Sequence, residues 1–96
     1  MKHLLVLVTY KLKLGIRNAF LKTMSESGIL EEVLKEDGNV RYHYYLDESN
    51  PDIILLVEEW LTAEHQKKHL NTPHMAKFQP IKAEYILETI VEKAEI

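Results

Sequence analysis

Apolar residues change their spacing several times along this chain, and each change marks an element. His3 to Lys11 is dense in Leu, Val, Thr and Tyr and predicts a first strand, after which Gly15 breaks the extended pattern. Ile16, Ala19, Phe20 and Met24 then recur at helical spacing. Ser27-Gly28 interrupts that helix, Ile29, Leu30, Val33 and Leu34 resume it, and Asp37-Gly38 is a stop signal with Gly38 suited to a left-handed cap. From Val40 to Leu46 the pattern alternates, with Val40, Tyr42, Tyr44 and Leu46 on one face and Arg41, His43 and Tyr45 on the other. Asn50-Pro51 marks the turn into a third strand, Ile53 to Trp60. Thr62 is an N-cap candidate for a short helix to about Asn71, and Thr72-Pro73 restarts the helix with Met75, Phe78 and Ile81 inward. Pro80 is expected to kink or end that piece, and Ala83 to Glu92 reads as the fourth strand. The order is β-α-β-β-α-β, which predicts an α+β, ferredoxin-like fold with a four-stranded antiparallel sheet and helices on one face.

A sheet covered on one side should alternate apolar and polar residues. Leu4-Leu5-Val6-Leu7-Val8 and Ile53-Ile54-Leu55-Leu56-Val57 are apolar on both faces instead. Something beyond the helices must cover the second face, and with no spare element in the chain a second copy is the simplest cover. A two-fold homodimer is therefore expected.

Length and charge narrow the function. The 96 residues are one domain's worth of chain, so residues 1–96 are expected to form a single domain. The net charge of −3 comes with scattered Lys and Arg, which argues against nucleic acid as the main partner. The absence of cysteine excludes thiolate nucleophiles, Cys-ligated metals and iron–sulfur clusters. No apolar run is long enough for a membrane span or a signal-peptide core, and the expected compartment is the cytoplasm. There is no Gly-rich phosphate loop or dinucleotide fingerprint, and no base stands near Ser25, Ser27 or Ser49 in sequence. His65 and His69 have the i, i+4 spacing that can clip a metal, but no third ligand stands at an obvious companion position, so no metal is expected.

The stretch Glu59-Trp60 followed by His69-Leu70-Asn71-Thr72-Pro73-His74-Met75 resembles the antibiotic-biosynthesis-monooxygenase family, and most of all its quinol monooxygenase branch. Val6 to Gly15 and Gly38 to Tyr45 fit the same family's first two strands. The resemblance implies a dimeric α+β barrel and a pocket between the sheet and the helices. There some members oxidise hydroquinones or polyketide phenols with O₂ and no cofactor. It implies His69 and His74 as catalytic candidates, since either imidazole can take a phenolic proton near neutral pH. Trp60, Tyr42 and Tyr44 are the candidates for substrate binding. Gln66, Lys67 and Lys68 stand where relatives place more apolar residues. The haem-degrading branch has a Trp and a His where this chain has His69 and Gln79, which disfavours haem.

Three functions fit this reading. One is a cofactor-independent monooxygenase acting on a quinol-like or polycyclic phenol. Another is an isomerase of a small phosphorylated carbonyl compound, with Lys11 or Lys13 meeting the phosphate. The third is a non-catalytic ligand-binding dimer. A dry aromatic cavity favours the first, a ring of cations the second, and a closed core the third.

Overall fold

In the computed structural model, which describes residues 2–96, the elements are β1 (Leu4–Leu12), α1 (Arg17–Ser27), α2 (Ile29–Leu34), β2 (Asn39–Leu46), β3 (Ile53–Trp60), α3 (Ala63–Leu70), α4 (Pro73–Tyr85) and β4 (Ile86–Glu95). The strands form one antiparallel sheet in the order β2-β3-β1-β4, the ferredoxin-like α+β arrangement.

Strand alternation sends Val6, Val8, Tyr10 and Leu12 of β1, and Ile54, Leu56, Glu58 and Trp60 of β3, to the helix side, where all are buried. Phe20 and Met24 of α1, Ile29 and Val33 of α2, and Met75 and Phe78 of α4 close over them. The opposite face carries Leu5, Leu7, Ile53, Leu55, Val57 and Ile90, with Leu7 paired to Val57 and Thr9 to Leu55 and Ile90. No helix lies over this second face, and Leu5, Leu7, Ile53 and Leu55 stay part-exposed in the single chain.

The helix ends follow the expected chemistry. Gly28 adopts φ 76° between α1 and α2, while Ser27 Oγ donates to the Met24 carbonyl at 2.8 Å and accepts from Ile29 N–H at 3.1 Å. Thr62 Oγ1 accepts from His65 N–H, and Thr72 Oγ1 accepts from Met75 N–H with Pro73 opening α4. Gly38 has φ 83°, and a Cβ there would overlap the His65 ring, so only glycine lets α3 approach this turn.

Three expectations need correction. Of the two outcomes expected at Pro80, a kink or an end, the end does not occur, and α4 continues to Tyr85. Ala76 and Pro80 both lie on the exposed side of α4, where water can satisfy the carbonyl that Pro80 cannot serve. The fourth strand accordingly runs Ile86–Glu95 and not Ala83–Glu92, because Tyr85 stays helical with its hydroxyl 3.0 Å from Thr23 Oγ1 of α1. Val40 does not share the buried face of Tyr42 and Tyr44, since the β2–β3 register shifts between Asn39 and Arg41 and leaves Val40 exposed. Leu46 does share that face, opposite Ile54, and is exposed because it ends the strand.

Candidate active site

A cavity of about 250 Å³ lies between the sheet and α3–α4. Its floor is Val6, Val8 and Tyr10 of β1, Tyr42 of β2 and Glu58 of β3. Thr89, Val91 and Lys93 of β4 form one side, and Gln66, His69, Met75, Phe78 and Lys82 come from the helices. Most of this lining is apolar or aromatic, with a few polar groups converging on it, as in small-molecule sites.

His69 is the central polar group. It sits near the end of α3, where helical spacing turns it inward with Gln66 while Lys67 and Lys68 face solvent. Its residue exposure is only 1%. Nδ1 lies 2.7 Å from Glu36 Oε2, and His74 Nε2 lies 2.8 Å from the same oxygen. A carboxylate accepts and does not donate, so both rings donate to it. That fixes His69 with its proton on Nδ1 and its lone pair on Nε2. No buried side-chain nitrogen or oxygen among the described residues lacks a partner, and Nε2 has none, so Nε2 opens onto the cavity that His69 lines. Burial holds the His69 pKa below the ordinary imidazole value, against the opposing pull of Glu36, so the ring is neutral at pH 7.

The other expected residues divide into lining and support. Tyr42 borders the cavity, with its ring 5.4 Å from that of His69. Trp60 does not border it. The indole is fully buried, tilts against the His69 ring at 4.7 Å and donates Nε1–H to Glu58 Oε1 at 3.0 Å. Tyr44 also lies off the cavity, packed edge-on to Tyr10 at 6.4 Å and tilted against Phe20 at 5.9 Å. Tyr42 and Tyr44 both face the helices, so neither belongs to the open sheet face. His74, at the start of α4, acts on Glu36 and does not border the cavity. Lys11 and Lys13 do not reach it either, and Lys11 instead pairs with Glu88 at 3.2 Å.

Two carboxylates escaped the sequence reading. Glu36 follows α2 and meets His69 across 33 positions of sequence, which no local spacing reveals. Glu58 stood inside an apolar strand, two residues before Trp60, and that shared strand face was the one available signal.

Glu36, His69 and His74 are also the one group of three metal-ligating side chains found among the described residues, with donor atoms within 4.8 Å of one another. The two N···O separations of 2.7 and 2.8 Å are hydrogen-bond lengths. Ligands sharing one Zn²⁺ at about 2.0–2.2 Å stand about 3 Å or more apart, so the arrangement fits a shared proton network better than a cation. His65 points away, with Nδ1 2.7 Å from Thr62 Oγ1 and Nε2 3.4 Å from Asp37.

Solved structures share this architecture closely. A conserved protein from Methanosarcina mazei Go1 superposes with a TM-score of 0.87 at 25% identity, covering 98% of this chain and 92% of that one. Protein PA3566 from Pseudomonas aeruginosa gives 0.88 at 16% identity, with coverages of 100% and 95%. A structure described as an antibiotic biosynthesis monooxygenase gives 0.83 at 21% identity, covering 97% of each chain. No curated protein matches the sequence. The family model described as antibiotic biosynthesis monooxygenase matches residues 4–80, which takes in β1 through most of α4 and with them Glu36, Glu58, His69 and His74. The chain belongs to the antibiotic biosynthesis monooxygenase family.

Proposed function

We propose that the cavity oxidises a quinol-like or polycyclic phenol with O₂, without a bound cofactor, and that His69 is the base. The observation that carries this reading is the His69 ring itself. Glu36 holds its Nδ1 proton, while Nε2 faces the cavity unpartnered and neutral. A base placed in this way removes a phenolic proton when substrate enters. The resulting anion is electron-rich enough to reduce O₂ directly, so the protein must supply a dry pocket, a base and polar groups around the anion. Tyr42 and Phe78 offer flat walls to an aromatic ring. Glu36 and His74 are positioning residues that fix the tautomer and angle of His69, as Trp60 does by packing beside it. Tyr44 supports Tyr10 from behind.

The same reading includes a homodimer built on the open sheet face. Leu5, Leu7, Ile53, Leu55 and Ile90 would each gain cover from a second copy, and burial of such side chains contributes roughly 1.5–3 kcal/mol apiece. Cations do not ring the cavity. Lys82 and Lys93 stand in a mostly apolar lining, which favours phenol oxidation over an isomerase of a phosphorylated carbonyl compound.

The test is oxygen uptake with a panel of hydroquinones and anthrones in the absence of added flavin or nicotinamide. Turnover should rise with pH through the titration of His69, below the ordinary imidazole range. No uptake above the uncatalysed rate with any of them would refute the oxidase reading.

A further inference from the structure

Glu58 is a buried carboxyl group that nothing described so far employs. It projects from the middle of β3 into the cavity floor, with Val6 opposite it on β1 and Tyr42 opposite it on β2. Its residue exposure is 5%, and it has no salt-bridge partner within contact distance. One oxygen, Oε1, accepts the Trp60 indole N–H at 3.0 Å. The second, Oε2, has no hydrogen-bond partner, yet no buried side-chain oxygen among the described residues is left unpaired. Oε2 therefore opens onto the cavity. Trp60 touches both reactive groups, with its ring tilted against His69 and its N–H bonded to Glu58, so a single buried side chain fixes both.

We infer that Glu58 is a second catalytic residue, the acid that gives a proton to the peroxide formed when O₂ adds to the substrate anion in this cavity. The inference rests on the oxygenase reading above. Its proton balance can be followed on a substrate whose reacting carbon is a methylene, as in an anthrone. His69 Nε2 takes one proton and leaves the substrate anion. The anion transfers its electrons to O₂ and a C–O bond forms, giving a peroxide anion. Glu58 then donates its proton to the terminal peroxide oxygen. In the last step the Glu58 carboxylate recovers the remaining proton from that carbon, the C=O bond forms and the O–O bond breaks. The departing hydroxide takes the proton held by His69 and leaves as water. The carbon is oxidised to a carbonyl, both atoms of O₂ are accounted for, and His69 and Glu58 return to their starting states.

The surroundings keep Glu58 protonated long enough for this role. Burial pushes its pKa up to about 7, opposed by the Trp60 hydrogen bond and the charge of Lys93 and assisted by Glu36. The titratable groups facing Glu58 across the cavity are Tyr10 from β1, Tyr42 from β2, Lys93 from β4, His69 from α3 and Lys82 from α4, while Tyr44 of β2 and Glu36 after α2 act on it from outside the cavity lining. Burial raises the three tyrosines well above their ordinary value, so they stay neutral and do not compete for the role near pH 7. A carboxyl held neutral by an apolar site is a recurrent device for proton donation at neutral pH.

The test compares the full-length protein with Glu58→Gln and Glu58→Asp, using oxygen uptake with dithranol, a hydroxylated anthrone. The Gln side chain keeps an acceptor for Trp60 but cannot donate an acidic proton. Wild-type turnover should decline as pH rises through about 7, where the carboxyl is lost. Glu58→Gln should fall by roughly 10²-fold or more and lose that decline, whereas Glu58→Asp should keep it. Infrared spectroscopy of the unreacted protein supplies a readout independent of turnover. A carboxyl C=O band should disappear as pH rises through neutrality and be missing in Glu58→Gln. An active wild type whose Gln variant keeps full turnover and the same pH profile overturns the assignment and leaves the oxygenase reading standing. The same holds if no carboxyl band titrates in this range. A wild type that consumes no oxygen removes both.

Discussion

Glu58 and Glu59 are neighbours in β3 and meet opposite fates. Strand alternation turns Glu58 into the cavity, where its contact is a neutral indole, and turns Glu59 to the open face, where His3 Nδ1 lies at 2.6 Å and Arg41 at 3.7 Å. Glu59 is thus committed to structure at one end of that face. Glu58 has no cation at contact distance and keeps one oxygen free. The contrast extends along the whole strand. Ile54, Leu56 and Trp60 are sealed beneath the helices, whereas Ile53 and Leu55 remain part-exposed with nothing above them. One apolar face floors the cavity, and the other is left part-exposed.

The contrast can be tested first where the expected effect is largest. Replacing His69 with Ala on the helix face should lower turnover by roughly 10²–10⁴-fold, the usual worth of a general base, with secondary structure retained. His74→Ala should cost less, because His74 touches Glu36 and not the cavity. Steady-state oxygen uptake separates the two, and equal losses would mean that the shared network acts as a unit.

A second test reads the two carboxylates through stability. The Glu58 pKa rises from 4.5 to about 7 on folding, so between those values the folded state holds a proton that the unfolded chain has released. Stability contributed by this group is full below the lower value and falls as pH rises through the upper one, by at most roughly 3 kcal/mol. Urea unfolding at about pH 5 and pH 8 should show Glu58→Gln losing less stability with rising pH than the wild type. Equal slopes would place Glu58 in a better-hydrated site than its burial implies.

The open face should respond to charge and not to pH. Leu7→Asp places a carboxylate in its centre, opposite Val57, and should give monomer or aggregate in sedimentation velocity at micromolar concentration. An unmodified chain that sediments as a stable monomer removes the premise of a dimer. The smallest expected effect is that of EDTA. If Glu36, His69 and His74 share protons, chelation leaves oxygen uptake unchanged, whereas loss of activity restored by one metal would reassign them as ligands.

Much of the fold was legible from side-chain spacing. Thr62 and Thr72-Pro73 announced the starts of α3 and α4, Ser27-Gly28 the break between α1 and α2, and Gly38 a left-handed cap, because caps and turns depend on residues within a few positions of each other. The two-sided apolar runs of β1 and β3 likewise showed that the helices could cover only half of the sheet. Whether Pro80 would end α4 was not legible, because that depends on whether the orphaned carbonyl can reach solvent, which is a tertiary fact. Val40 misled because a register shift against β3 moved it off the buried face.

The site divides in the same way. His69 and His74 could be read from one short segment, and the capped restart at Thr72-Pro73 holds them near each other. Their common partner Glu36 comes from the turn after α2, and Glu58 acquires its character from Val6, Tyr42 and Trp60 closing around it. Local sequence determined which residues could form helices, strands and turns, since those preferences act over a few bonds. Only the tertiary structure decided which carboxylate keeps water and cations and which loses them, because desolvation is set by everything that packs around a group at once.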